Sequence, residues 1–109
     1  VDTELNKIKD ICLKTPTVEV CGFVVSNAGK FSVIEAINEA QDTENFFEIG
    51  PKQYLSAIMG NEKVECVYHS HIKGSADPSD FDKLMVKHTC LDFLIYSIEE
   101  DDFKTLKAI

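Results

Sequence analysis

Leu5, Ile8, Ile11 and Cys12 recur at helical spacing near the start of the chain. This predicts an amphipathic N-terminal helix that ends before Thr15-Pro16, since a residue preceding proline is pushed out of helical geometry. The period then changes. "VEVCGFVV" (18–25) is a β-branched run, "SNAGK" turns it, and "FSVIEAI" (31–37) follows as its hairpin partner. "NEAQDTEN" reads as an acidic loop. "PKQYLSAIMG" (51–60) predicts a short helix with Pro51 in its first turn, Tyr54, Leu55 and Ile58 inward, and Gly60 as its stop.

"VECVYH" (64–69) is a further strand, and Pro78 opens a helix whose Phe81, Leu84, Met85 and His88 follow an i, i+3, i+4, i+7 stripe. "DFLIYSI" (92–98) has the uninterrupted apolar character of a central buried strand, and "FKTLKAI" (103–109) supplies an edge strand. The order α-β-β-α-β-α-β-β predicts an α/β fold, a small mixed sheet flanked by helices.

A length of 109 residues fits a single domain, 1–109. The chain opens without an initiator Met and without a signal-peptide layout, as expected of a trimmed or excised domain with a cytoplasmic setting. No apolar run is long enough to span a bilayer. The 19 acidic residues outnumber the 11 basic ones, giving a net charge of −8, and no Lys/Arg stripe offers itself to phosphates. Nucleic-acid and anionic-membrane partners are therefore not expected. Cys12, Cys21, Cys66 and Cys90 form no C-x-x-C pair, and buried, reduced thiols are the expectation for them.

The chemistry concentrates in "HSHIKGSADPSDFD" (69–82). His69 and His71 stand at i and i+2, so a strand running through both sends the two imidazoles from one face, as two ligands of one ion require. Ser79 follows after a seven-residue gap that Gly74 and Pro78 can reverse, and Asp82 lies one helical turn further on. Two histidines and a carboxylate leave a coordination position for water, as in a catalytic zinc site. The plainer reading is that Ser79-x-x-Asp82 caps a helix and the histidines are half-exposed polar residues. Glu19 interrupts an apolar strand, where a carboxylate is costly to bury unless something nearby uses it. Alternatively, it lies solvated at the strand start.

Taken together, Glu19 before "CGFVV", His69-Ser70-His71, Pro78-Ser79 and Asp82 resemble the JAMM/MPN+ signature of zinc-dependent peptidases and isopeptidases, over Val18 to about Ser97. Within that family the chain looks closest to the tail-assembly domains of lambda-type phages, through "NEAQDTENFFEIGPKQYLSAI" and "DFLIYS". The resemblance implies a compact JAMM/MPN-like fold and one Zn2+ per chain, held by His69, His71, Asp82 and a water. It implies Glu19 as general base and Ser79 as the group that steadies the oxyanion. The implied substrate is a protein or peptide with a flexible tail, either a phage tail protein or a ubiquitin-like C-terminus. The location would then be the host cytoplasm or the virion tail if the chain is phage-encoded. Ile72 stands where the family usually carries proline, which puts the rigidity of the following loop in question. A non-catalytic MPN-type interaction module is the alternative. The intact Glu19, His69, His71, Ser79 and Asp82 favour the enzyme.

Overall fold

The structure is a computed structural model that describes residues 2–108. Its elements are α1 (Asp2–Lys14), β1 (Cys21–Asn27), β2 (Lys30–Ala36), α2 (Pro51–Ile58), β3 (Lys63–His71), α3 (Asp80–Thr89), β4 (Asp92–Ser97) and β5 (Asp102–Leu106), the order the sequence pattern predicts. They form one five-stranded sheet in the order β2-β1-β3-β4-β5. Only β3 and β4 run parallel, and α3 provides the crossover that parallel neighbours need. The β1–β2 turn places Ala28 and Gly29 at positive φ. Gly22 permits a close approach: a Cβ there would lie 2.2 Å from the Ile34 carbonyl oxygen.

Apolar side chains cover both faces of the sheet. Ile8 and Cys12 of α1 pack on Val24, Tyr68 and Tyr96 on one side. On the other, Phe23, Val25, Val67 and Phe93 meet Val86 of α3 together with Phe47 and Ile49, which come from the loop between β2 and α2. β1 is buried at five consecutive positions, Cys21–Val25, because it lies inside the sheet and is covered on both faces. β5 is an edge strand, as expected, and ends at Leu106; the predicted end at Ile109 lies outside the described residues.

Three expectations need correction. Val18, Glu19 and Val20 precede β1 rather than forming part of it. In α2, Tyr54 does turn inward, edge-on to Phe23 at 5.5 Å, but Leu55 and Ile58 are 56 % and 57 % exposed. A helix of eight residues at the margin of the sheet buries only a narrow stripe. In α3, Phe81 and Met85 are half-buried as the stripe predicts, but the buried residues are Asp82 and Val86, while Leu84 and His88 face solvent. Among the cysteines, Cys12 and Cys21 are buried, Cys66 is half-buried and Cys90 is exposed, and all four are free. Cys90 adopts left-handed geometry, with φ of 57°, as the C-cap of α3.

Candidate metal centre

β3 pairs with β4 through its end, His69 opposite Ile95 and His71 opposite Ser97, so period-two geometry sends both imidazoles to the α3 side. Asp82, in the first turn of α3, meets them there. Its Oδ1 lies 3.0 Å from His69 Nε2 and its Oδ2 lies 3.1 Å from His71 Nε2, while the two Nε2 atoms are 3.3 Å apart. A tetrahedral zinc with bonds of about 2.0–2.1 Å has ligand atoms roughly 3.3–3.4 Å from one another. The observed spacings are of similar size, with a different Asp82 oxygen facing each imidazole. Among the described residues this trio is the group of metal-ligating side chains whose donor atoms converge.

The hydrogen bonding favours a cation between these atoms. His71 Nδ1 lies 3.0 Å from the Ser75 carbonyl, which can only accept, so Nδ1 carries the proton. In the neutral ring the Nε2 lone pair then faces a carboxylate oxygen and a second imidazole nitrogen. That arrangement is repulsive unless a proton or a metal ion lies between them, and an outer carbonyl holding the far ring nitrogen is the usual support of a metal-bound histidine. Burial opposes the charged form of His71, but Asp82 and the Ser75 carbonyl outweigh it and raise its pKa. Burial dominates at His69 and lowers its pKa. Burial alone would raise the Asp82 carboxyl, yet the two imidazoles hold it far below the usual carboxylate range. Its place at the N-terminus of α3 favours the anion further.

His69 is fully buried. Its ring stacks on Phe47 at 4.2 Å and meets the edge of Phe93 at 5.7 Å, and its Nδ1 has no hydrogen-bond partner among the described residues. The ring is thus held by packing and by Asp82 at Nε2. Phe47 is a residue that the sequence pattern misses, because it lies in an acidic loop; the adjacent aromatics Phe46 and Phe47 are the signal that could have marked it.

The capping reading of Ser79 and Asp82 holds. Ser79 is the N-cap of α3: its Oγ accepts from Asp82 N at 3.1 Å, and Asp82 Oδ2 accepts from Ser79 N at 2.9 Å. The capping box accounts for the spacing and also aims the carboxylate at the histidines.

A cleft of about 460 Å3 opens beside the trio and is lined by Glu19, His71, Ser79 and Asp82, with Phe46 and Phe81 among its other walls. Glu19 is 7 % exposed, buried rather than solvated. Burial pushes its carboxyl up to about 7, offset in part by His71 and reinforced by Asp82 and Asp42. The structure therefore brings all five residues singled out from sequence to one place: three converging, two on the adjoining cleft wall. Ile72 lines the same cleft. The loop after it, which lacks the stiffening proline, is tied down by other contacts. Ser97 Oγ donates to the Gly74 carbonyl at 2.6 Å, Glu99 accepts from Gly74 N, and Lys104 pairs with Asp77.

Comparison with known proteins follows the same line. A family model described as prokaryotic homologs of the JAB domain matches residues 4–108. The solution structure of a Desulfitobacterium hafniense protein superposes with a TM-score of 0.71 at 18 % identity, covering 98 % of this chain and 88 % of that one. At that identity the likeness is one of fold. Comparison with curated proteins gives no match.

Proposed function

The chain belongs to the Prok-JAB family, the prokaryotic homologues of the JAB domain, and from that premise we propose that it is a zinc-dependent peptidase or isopeptidase. Its substrate would be an amide bond in a flexible protein segment. The observation that carries this reading is the convergence of His69, His71 and Asp82 beside a cleft onto which Glu19 and Ser79 also face.

The donor set, two imidazoles and one carboxylate, suits zinc with a position left open. Bound there, zinc supplies a Lewis acid for the scissile carbonyl and brings the pKa of a water ligand down to about 7. The remaining steps belong to the side chains. Glu19, whose carboxyl exchanges its proton near neutral pH because of burial, accepts a proton from the attacking water and passes it to the leaving amine. The Ser79 oxygen already accepts from Asp82 N. A hydroxyl that accepts still has its own proton to donate, and here it goes to the developing oxyanion. Phe47 and Phe93 keep water away from the far side of His69.

The cleft accommodates only a short extended stretch. Glycine beside the cut would avoid crowding against the trio. A ubiquitin-like C-terminal tail and a phage tail-assembly protein both meet that description. The four free cysteines are consistent with a cytoplasmic setting. No helix among the described residues is long and apolar enough to cross a membrane.

The test is a panel of folded ubiquitin-like and phage tail proteins with accessible flexible tails, incubated with the zinc-loaded and the chelated protein and read by mass spectrometry. Chelator-sensitive cleavage within a flexible segment is the expected result. No cleavage across the panel, or cleavage that survives chelation, would count against a zinc peptidase.

A further inference from the structure

Because Glu19 precedes β1, sheet pairing does not hold it in place. Its N–H donates to the Thr43 carbonyl at 2.6 Å, and its own carbonyl accepts from Asn38 Nδ2 at 2.8 Å. The next residue is tied to β3: Ser70 N donates to the Val20 carbonyl, and Val20 N donates to Ser70 Oγ, each at 3.0 Å.

Asn38 does more than this. Nδ2 also donates to the Phe46 carbonyl at 3.0 Å, and Oδ1 accepts from Ala40 N at 3.0 Å and Glu48 N at 3.1 Å. A carboxamide has two N–H donors and an oxygen with two acceptor sites, so its full capacity is used. The orientation of the amide is forced, since carbonyls cannot donate and N–H groups cannot accept.

We propose that Asn38 is a positioning residue for the metal centre. One carboxamide fixes the Glu19 main chain and folds the loop that carries Phe46 to the cleft wall and Phe47 onto the His69 ring. The proposal rests on the reading of Glu19 as general base. Its force comes from the connectivity. The base stands before the first strand and the histidines stand on the third, and Asn38 joins the base to the loop that packs against one of those histidines. A misplacement of about 1 Å in such a group is worth roughly 10²-fold in rate.

Two substitutions test this. Asn38→Asp keeps an oxygen for Ala40 N and Glu48 N but has no N–H for the Glu19 and Phe46 carbonyls, whereas Asn38→Ala removes all four bonds. The readouts are amide hydrogen exchange on the zinc-loaded protein, zinc content, and turnover of any substrate the panel identifies. In Asn38→Asp the Ala40 and Glu48 amides should stay protected while the Val20 amide, which shares its peptide group with the Glu19 carbonyl, exchanges roughly tenfold faster or more. The expected kinetic change is a kcat loss of roughly tenfold or more, with KM within about threefold and zinc content intact. In Asn38→Ala all three amides should exchange faster. Wild-type exchange at Val20, or wild-type kcat, in Asn38→Asp would overturn the proposal, because the Glu19 carbonyl would then keep its place without the Asn38 Nδ2 donor. Absence of turnover in the wild type would instead count against the peptidase reading, and the exchange data would still decide whether Asn38 holds Glu19.

Discussion

Ser79 and Asp82 hold each other by two reciprocal hydrogen bonds, of 3.1 and 2.9 Å, and the Asp82 oxygen used in that pair also lies 3.1 Å from His71 Nε2. The start of α3 and the candidate metal centre are therefore one structure. A capping serine contributes about 1 kcal/mol over alanine, whereas glycine at the same position costs only a few tenths. Ser79→Ala should lose that stability together with roughly 10²- to 10³-fold in kcat, the usual loss for a missing oxyanion donor. Ser79→Gly should keep most of the stability and show the same kinetic loss. Urea unfolding and steady-state kinetics on both variants test this. Wild-type turnover in Ser79→Gly would restrict Ser79 to capping.

Glu19 connects stability and activity with opposite signs. Burial raises its folded pKa from 4.5 to about 7, so between those values the folded protein binds a proton that the unfolded chain releases. The stability this group contributes is complete below about pH 4.5 and is lost as pH rises through 7. Glu19→Gln never ionises. In the zinc-free protein it should exceed the wild type by about 1–3 kcal/mol at pH 8 and match it near pH 4. The same variant should bind zinc normally and lose roughly 10²- to 10⁴-fold in turnover. Unfolding curves at the two pH values give the first result. A Glu19→Gln protein less stable than wild type at pH 8 would mean that the carboxylate is stabilised in the fold rather than strained by burial.

Phe47 supports both the core and His69, whose ring it stacks at 4.2 Å. Phe47→Ala should cost about 3–5 kcal/mol of stability through the cavity it leaves. Zinc affinity should fall about 10- to 100-fold, as when other outer supports of metal ligands are lost. A chelator-competition titration reads the second effect separately from the first. Unchanged affinity would show that the ring of His69 is oriented without Phe47.

What was legible in the sequence had a local cause. The i, i+2 spacing of His69 and His71 fixes their common face once a strand runs through them, and the Ser79–Asp82 spacing is a helix cap that also brings the Asp82 carboxylate to the two imidazoles. The phase of α3 was legible only in part. Phe81 and Met85 of the predicted stripe are half-buried, but Asp82 and Val86 are the buried residues, and Leu84 and His88 face outward. A buried polar residue displaced half of the apolar pattern. The role of the loop between β2 and α2 was hidden for a different reason. Phe47 and Ile49 join the core and Asn38 holds the Glu19 carbonyl through contacts remote in sequence, which no local period records.

Whether His69, His71 and Asp82 hold zinc, as proposed, is read by zinc titration of the chelated protein followed by elemental analysis. The wild type should take up one zinc per chain, and at zinc 100-fold above its dissociation constant it should gain about 2.7 kcal/mol of stability. His71→Ala should stay folded and take up none. A wild type that retains less than about a tenth of an equivalent after reconstitution, or a His71→Ala variant that binds as the wild type does, would contradict the account.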